Sequence, residues 1–205
     1  MCYDHWALIV NIFVAIGTIG AVVVVIYKDL FIAWRNRPII SCELENPTLY
    51  STKDEFKPIY YCRFVIRNTG KSSLKTVEVM ITDLKKEDGD QFVKVESFSP
   101  DNLIWSFLDQ IYCPFISPGT SQLCNLGHIT DKATQDFKNE IFELNVRFKS
   151  RNLHYLLPEG LYRAEITVGA ENAKAEKKYY EINISKSEPK DKFLIKEISK
   201  NSLTP

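Results

Sequence analysis

The sequence predicts a mainly β protein: an antiparallel immunoglobulin-like β-sandwich of about eight or nine strands, preceded by one N-terminal transmembrane α-helix. Three observations carry this expectation. From Trp6 to Tyr27 the chain reads WALIVNIFVAIGTIGAVVVVIY, without a charged residue. Beyond Pro38, short runs alternate apolar with polar residues, the period of half-buried strands. Gly, Pro and Asn separate these runs, and amphipathic helix periodicity is almost absent.

The apolar segment is long enough to cross a bilayer, since at about 1.5 Å per residue it just spans a hydrocarbon core of about 30 Å. Trp6 and Tyr27 close its ends and Trp34 lies just beyond, as expected of amphipathic rings at headgroup level. A cleaved signal peptide would show a basic segment before the apolar core and small residues after it. Instead Asp4 precedes the core, and Tyr27, Lys28 and Asp29 follow. Lys28, Arg35 and Arg37 all lie after the span, which predicts a protein of the cell membrane with a short outside N-terminus and a cytoplasmic C-terminal domain. The alternative is an uncleaved signal anchor with the domain outside. The expected layout is a tail at 1–5, a span at 6–27, a juxtamembrane connector at 28–37, a β domain at 38–185 and a polar tail at 186–205. Within the span, Gly17 and Ala21 are four apart and Asn11 adds an amide, together a candidate helix-association face and a route to a homo-oligomer.

The strands follow in order. IISCELE places Ile40, Cys42 and Leu44 on one face. YYCRFVIRN places Tyr60, Cys62, Phe64 and Ile66 inward, with Tyr61, Arg63, Val65 and Arg67 outward. Asn68 to Lys71 supplies turn residues, and alternation resumes at Val77, Val79 and Ile81. Glu87-Asp88-Gly89-Asp90 is a second turn, leading into FVKVESF. Between Pro100 and Pro118, LIWSFLDQIYCPF has no clean period, so helix and strand both remain open there. TSQLCNLGHI is a short strand, and 130–140 a polar segment with room for a helical turn. IFELNVRFK predicts Phe142, Leu144, Val146 and Phe148 on one face. LYRAEITVGA aligns Tyr162, Ala164, Ile166 and Val168, and the last strand turns Tyr180, Ile182 and Ile184 inward. The tail is Lys-rich, with a short helix expected near Phe193 to Ile198.

These elements resemble uncharacterised prokaryotic single-pass membrane proteins in which an apolar helix runs into an Arg-Pro element and a β domain. The matching pieces are VAIGTIGAVVVVIY, Arg37-Pro38, YYCRFVIRNTGKSSLKTVEV, the segment Asn102 to Ser106, PGTSQLCNLGHI and PEGLYRAEITVGAENAKAEKKYYEI. The resemblance implies an anchor followed by a sandwich, and nothing about catalysis.

Charge excludes one class of partner. Lys plus Arg and Asp plus Glu number 26 each and are mixed along the chain, so the basic footprint of a nucleic-acid binder is missing. Five cysteines include Cys113 and Cys124, which with His128 give C-x10-C-x3-H, a fragment of a zinc hook without its fourth ligand. Structural thiols are the simpler reading, because a buried free cysteine behaves as a small hydrophobe; disulfides gain weight only if the domain lies outside. His5, His128 and His154 are scattered, and G-x-S-x-G, H-E-x-x-H and phosphate-binding glycine loops are absent. The sequence thus points to no cofactor, no metal and no enzyme. Its candidate partner-binding residues are Trp105, Phe107, Tyr112 and Phe115 in the Pro-bounded aromatic segment, with Tyr61, Arg63 and Arg67 on an outward strand face. The expected role is a membrane-anchored binding or scaffolding module with an unknown protein partner. A membrane effector, whose cytoplasmic domain senses a ligand while its helix assembles in the bilayer, is the alternative.

Overall fold

The structure, a computed structural model, describes residues 3–45, 48–50, 59–96, 98–130, 141–149, 155–184 and 193–200. It divides into two compact units, Met1–Arg37 and Pro38–Pro205. In the first, helix α1 (Tyr3–Arg35) is longer than the apolar core and continues through the connector. The Asn36 amide still reaches the Ile32 carbonyl at 2.9 Å, and Pro38, lacking an amide hydrogen, stops any further continuation. Apolar side chains are exposed all round α1. The hydroxyl of Thr18 closes on the Val14 carbonyl at 2.8 Å, so this polar group is satisfied within the helix. By length and composition α1 is able to cross a membrane.

The second unit is a β-sandwich of two antiparallel sheets. The six-stranded sheet contains β1 (Ile40–Leu44), β2 (Thr48–Tyr50), β3 (Ile59–Asn68), β8 (Ser121–Thr130), β9 (Ile141–Leu144) and β10 (Leu156–Leu157), in the order β1-β3-β8-β9-β10 with β2 also on β3. The seven-stranded sheet contains β4 (Leu74–Asp88), β5 (Gln91–Lys94), β6 (Asp101–Asn102), β7 (Tyr112–Ile116), β11 (Gly160–Ala170), β12 (Ala173–Ile184) and β13 (Phe193–Ile198). Its order is β13-β12-β11-β4-β5, with β6 and β7 also on β4. The thirteen described strands exceed the expected eight or nine, because β2, β6 and β10 are only two or three residues long and leave no periodic signal, and β13 takes the place of an expected helix. The helix expected at Phe193 to Ile198 is instead β13, paired along its whole length with β12. The helical turn expected within 130–140 lies, except for Thr130 in β8, outside the described residues.

The alternating residues fill the space between the sheets. Cys62, Phe64 and Ile66 meet Val77, Val79, Ile81, Tyr162, Ala164, Ile166, Val168, Tyr180 and Ile182, all buried. Two bulges re-aim side chains, as an extra residue in one strand does. In β4 the pairing with β11 skips Thr82, so burial passes from Ile81 to Leu84. In β8 the pairing with β3 shifts between Arg63 and Cys62, so Leu126 stays buried while His128 comes out opposite Tyr61. Phe148 departs from the expected inward face: β9 stops at Leu144, Val146 bridges Leu103, and Phe148 is exposed.

One end of the sandwich, where the chain enters at Pro38, is closed around Asn68. Its side-chain amide donates to the carbonyls of Ser72 and Ile116 at 2.8 and 2.9 Å, and its oxygen accepts the Gly70 amide at 3.0 Å. Ile40 pairs with Asn68, Leu74 with Ile116 and Arg67 with Ser121, so these loops share one end. The tight Gly89-Asp90 turn between β4 and β5 lies at the opposite end of β4.

Candidate functional site

The outer face of the six-stranded sheet gathers charged and aromatic side chains from separate strands. From β3, the Arg63 guanidinium stands 5.4 Å from the centre of the Tyr61 ring. Tyr61 stacks at 5.4 Å on His128 of β8, which the bulge at Leu126 has turned outward. His128 Nε2 lies 3.7 Å from Glu143 Oε2 on β9, and Lys149 Nζ is 2.5 Å from the other oxygen of the same carboxylate. Lys149 also covers Tyr155, at 5.8 Å from its ring centre. Cation, aromatic, imidazole and anion therefore alternate across the sheet, and Tyr61, Arg63, His128 and Glu143 are half-buried. Gly127 makes this possible: its backbone lies so close to Glu143 and Phe142 that a Cβ there would overlap the Glu143 carbonyl oxygen. Arg67, singled out with Tyr61 and Arg63, is exposed but stands apart, near the Pro38 end of β3.

The aromatic segment resolves into a buttress and a tip. Trp105 is only 1 % exposed, so its reading as a contact residue is corrected. It bridges Cys124 and donates its amide to the Gln110 carbonyl at 2.9 Å. Ser106 adds an amide bond to the Leu123 carbonyl at 2.9 Å and a hydroxyl bond to Asn125 at 2.6 Å. This frame holds the next residues in sparsely populated conformations. Phe107 has a φ of 67° and Asp109 of 51°, uncommon for residues with a Cβ and more so for a bulky one. Phe107 is 92 % exposed and Phe115 63 %, with Leu108 and Tyr112 also at the surface.

In α1, Asn11, Gly17 and Ala21 are all exposed. At about 100° per residue, Gly17 and Ala21 share a stripe, whereas Asn11 lies roughly 120° round from Gly17 and aligns with Thr18 instead. A continuous helix thus offers two narrow faces rather than the single one expected.

The cysteines are thiols within the core. Cys42, Cys62, Cys113 and Cys124 are buried and free. Burial pushes Cys42 up to about 12, and raises Cys62, Cys113 and Cys124 as well, so none is a ready thiolate. Cys124 points inward and His128 outward from the same strand, so the C-x10-C-x3-H spacing does not converge on a point. Among the described residues no group of three or more His, Cys, Asp or Glu side chains is arranged to hold a metal.

At the seam between the sheets, Glu176 of β12 accepts the Cys42 amide of β1 at 3.1 Å, and Lys178 joins Glu176 to Glu197 at 3.8 and 2.6 Å. Desolvation raises the Glu176 carboxyl, with Lys178 opposing it. This is a stitch from β1, the edge strand of one sheet, to β12 of the other. A shallow groove of about 310 Å³ on the other sheet is lined by Thr76, Glu78, Met80, Thr167, Gly169, Ala170 and Glu171. It holds no nucleophile paired with a base. Glu143, Lys149 and Tyr155 were not singled out by sequence reasoning. Strand parity marks Glu143 as outward, but only the register of three strands brings it to His128. Comparison with protein-family models, curated proteins and solved structures finds no match.

Proposed function

We propose that this chain is a bitopic membrane protein whose β domain is a non-catalytic binding module, and that the Tyr61–His128–Glu143 face takes a protein partner. The observation that carries the reading is the array just described. Tyr and Arg dominate the energetics of protein interfaces, and here they are already ordered, so less side-chain entropy is lost on binding. The charges alternate, which favours a partner of matched mixed polarity over nucleic acid.

Two further elements of the reading have their own support. The pairings β1-β3-β8 and β4-β11-β12 correspond to the A-B-E and C-F-G pairings of an immunoglobulin-type sandwich. Lys28, Arg35 and Arg37 after the span favour a cytoplasmic domain.

The test is site-specific photocrosslinking in membranes. A crosslinker in place of Tyr61 should give a partner adduct that is lost when Arg63 is changed to Ala. A crosslinker in place of Thr167, on the outer face of the other sheet, should not give it. Identical adducts from both faces, unaffected by Arg63→Ala, refute the assignment.

A further inference from the structure

The exposed aromatic tip is unexplained by the partner face, and its place in the fold says what covers it. Ser106 is bonded to Leu123, which lies two residues from Ser121, and Ser121 pairs with Arg67 at the Pro38 end. Phe115 pairs with Lys75, one position from the Leu74–Ile116 pair that closes the same end. Phe107, Leu108 and Phe115 therefore cluster toward the end at which the chain enters the sandwich. Arg67, Lys71 and Lys75 are exposed there too, against Asp109 and Glu171. Only three peptide steps separate Arg35, the last residue of α1, from Pro38. However the two units are oriented, that stretch of chain reaches no more than about 11 Å.

We infer that the Pro38 end of the β domain docks on the lipid bilayer, with Phe107, Leu108 and Phe115 at headgroup depth and Arg67, Lys71 and Lys75 against anionic headgroups. The inference rests on the reading of α1 as an anchor. Exposed aromatic and aliphatic side chains rimmed by basic ones are the composition of an interfacial contact. The frame of Trp105 and Ser106 holds the apolar tip out even when nothing covers it. The α1 tether keeps the local lipid concentration high, so a patch this small suffices.

The experiment uses the full chain, carrying Cys2→Ser, in phosphatidylcholine vesicles with and without phosphatidylserine, at loadings from about ten chains per vesicle down to about one. Because the four thiols of the β domain are buried, an environment-sensitive fluorophore can be directed to Phe107→Cys or, as the distal control, to Asp90→Cys. The label at position 107 should shift to the blue and be quenched by aqueous iodide about threefold less than the label at 90, more so with phosphatidylserine. A label at Ser121→Cys should also be shielded, and should lose that shielding when Phe107 and Phe115 are both changed to Ser. Equal iodide access at 107 and 90, or no loss at 121, overturns the docking. Shielding that disappears as chains are diluted at constant lipid assigns the patch to a second copy and also overturns it. Alkaline carbonate extraction separates the two readings: a chain that is extracted refutes the anchor and the docking with it. A chain that resists extraction yet shows equal access refutes the docking alone.

Discussion

Replacing Gly127 by Ala tests the packing that holds the Tyr61–His128–Glu143 face. A methyl group there would overlap the Glu143 carbonyl oxygen and lie 2.5 Å from Cζ of Phe142. Neither obstacle moves cheaply. The oxygen is main chain in a paired strand, and the ring belongs to a fully buried residue. Overpacking of a close-packed interior costs about 1–3 kcal/mol, and a backbone clash puts this case at the upper end, about 3 kcal/mol. For a domain of this size that is a fall in Tm of about 6–12 °C. The relief available is for β9 to move away from β8, and His128 and Glu143 pair across that boundary, next to the substituted position. Destabilisation should therefore arrive together with loss of the crosslink at Tyr61. Thermal unfolding of the full chain in lipid nanodiscs, followed by the fluorescence of its tryptophans, measures the first effect and the adduct yield measures the second. A Gly127→Ala chain within about 0.5 kcal/mol of the parent, with the adduct intact, would refute the reasoning.

Other consequences are equally specific. Asn68→Ala strands the Ser72 and Ile116 carbonyls at the Pro38 end and should cost about 3 kcal/mol, whereas loss of under about 1 kcal/mol in urea titration would deny the side chain its role. Glu165 is raised by desolvation but lowered more by hydrogen bonds from Lys177 and Thr82, leaving its carboxyl below its ordinary 4.5. Its contribution is thus fully present above the unfolded value and is lost as pH falls through the lower folded one. Glu176 works in the opposite direction: its raised carboxyl favours the folded state at low pH, and that advantage fades as pH rises through the folded value. Glu165→Gln should lower stability at neutral pH by about 0.5 kcal/mol and flatten the acid limb, while Glu176→Gln should leave neutral stability unchanged or slightly higher. Reversal of the two in pH-dependent unfolding would contradict the assignment. In α1, Asn11→Leu should reduce any oligomer seen by light scattering in detergent more than Ala21→Leu if the amide is the glue, and an unchanged size removes Asn11 from association.

The sandwich was legible where the chain keeps one period for five or more residues. Tyr162 to Val168 and Cys62 to Ile66 point inward as their alternation requires, because both strands are paired on both sides and have no freedom to turn over. The aromatic segment was not legible, since Trp105 and Phe107 are two apart yet one is buried and the other exposed, and the left-handed backbone at Phe107 breaks any period. FLIKEI carries two charges in six residues and follows a polar stretch, so its pairing with β12 left no local trace. The Tyr61–His128–Glu143 face was half visible: parity marked Tyr61 and Arg63 as outward. The stack on His128 depends on a bulge in β8, and the link to Glu143 on a register between strands distant in sequence. Such non-local geometry has no signature in either strand alone.

The four buried thiols also make the sandwich a clock for its own opening. Each is sheltered in a different strand: Cys42 in β1 at one margin, Cys62 and Cys124 in the interior pair β3 and β8, and Cys113 in β7 of the opposite sheet. A small reagent under native conditions reaches a given sulfur only when that strand transiently detaches, so the modification rate at each position reads out a local free energy of exposure. Peeling of the margin would show as Cys42 reacting ahead of the rest, and concerted disassembly as four equal rates. The protein thus records, in its own side chains, whether its two sheets come apart together or strand by strand.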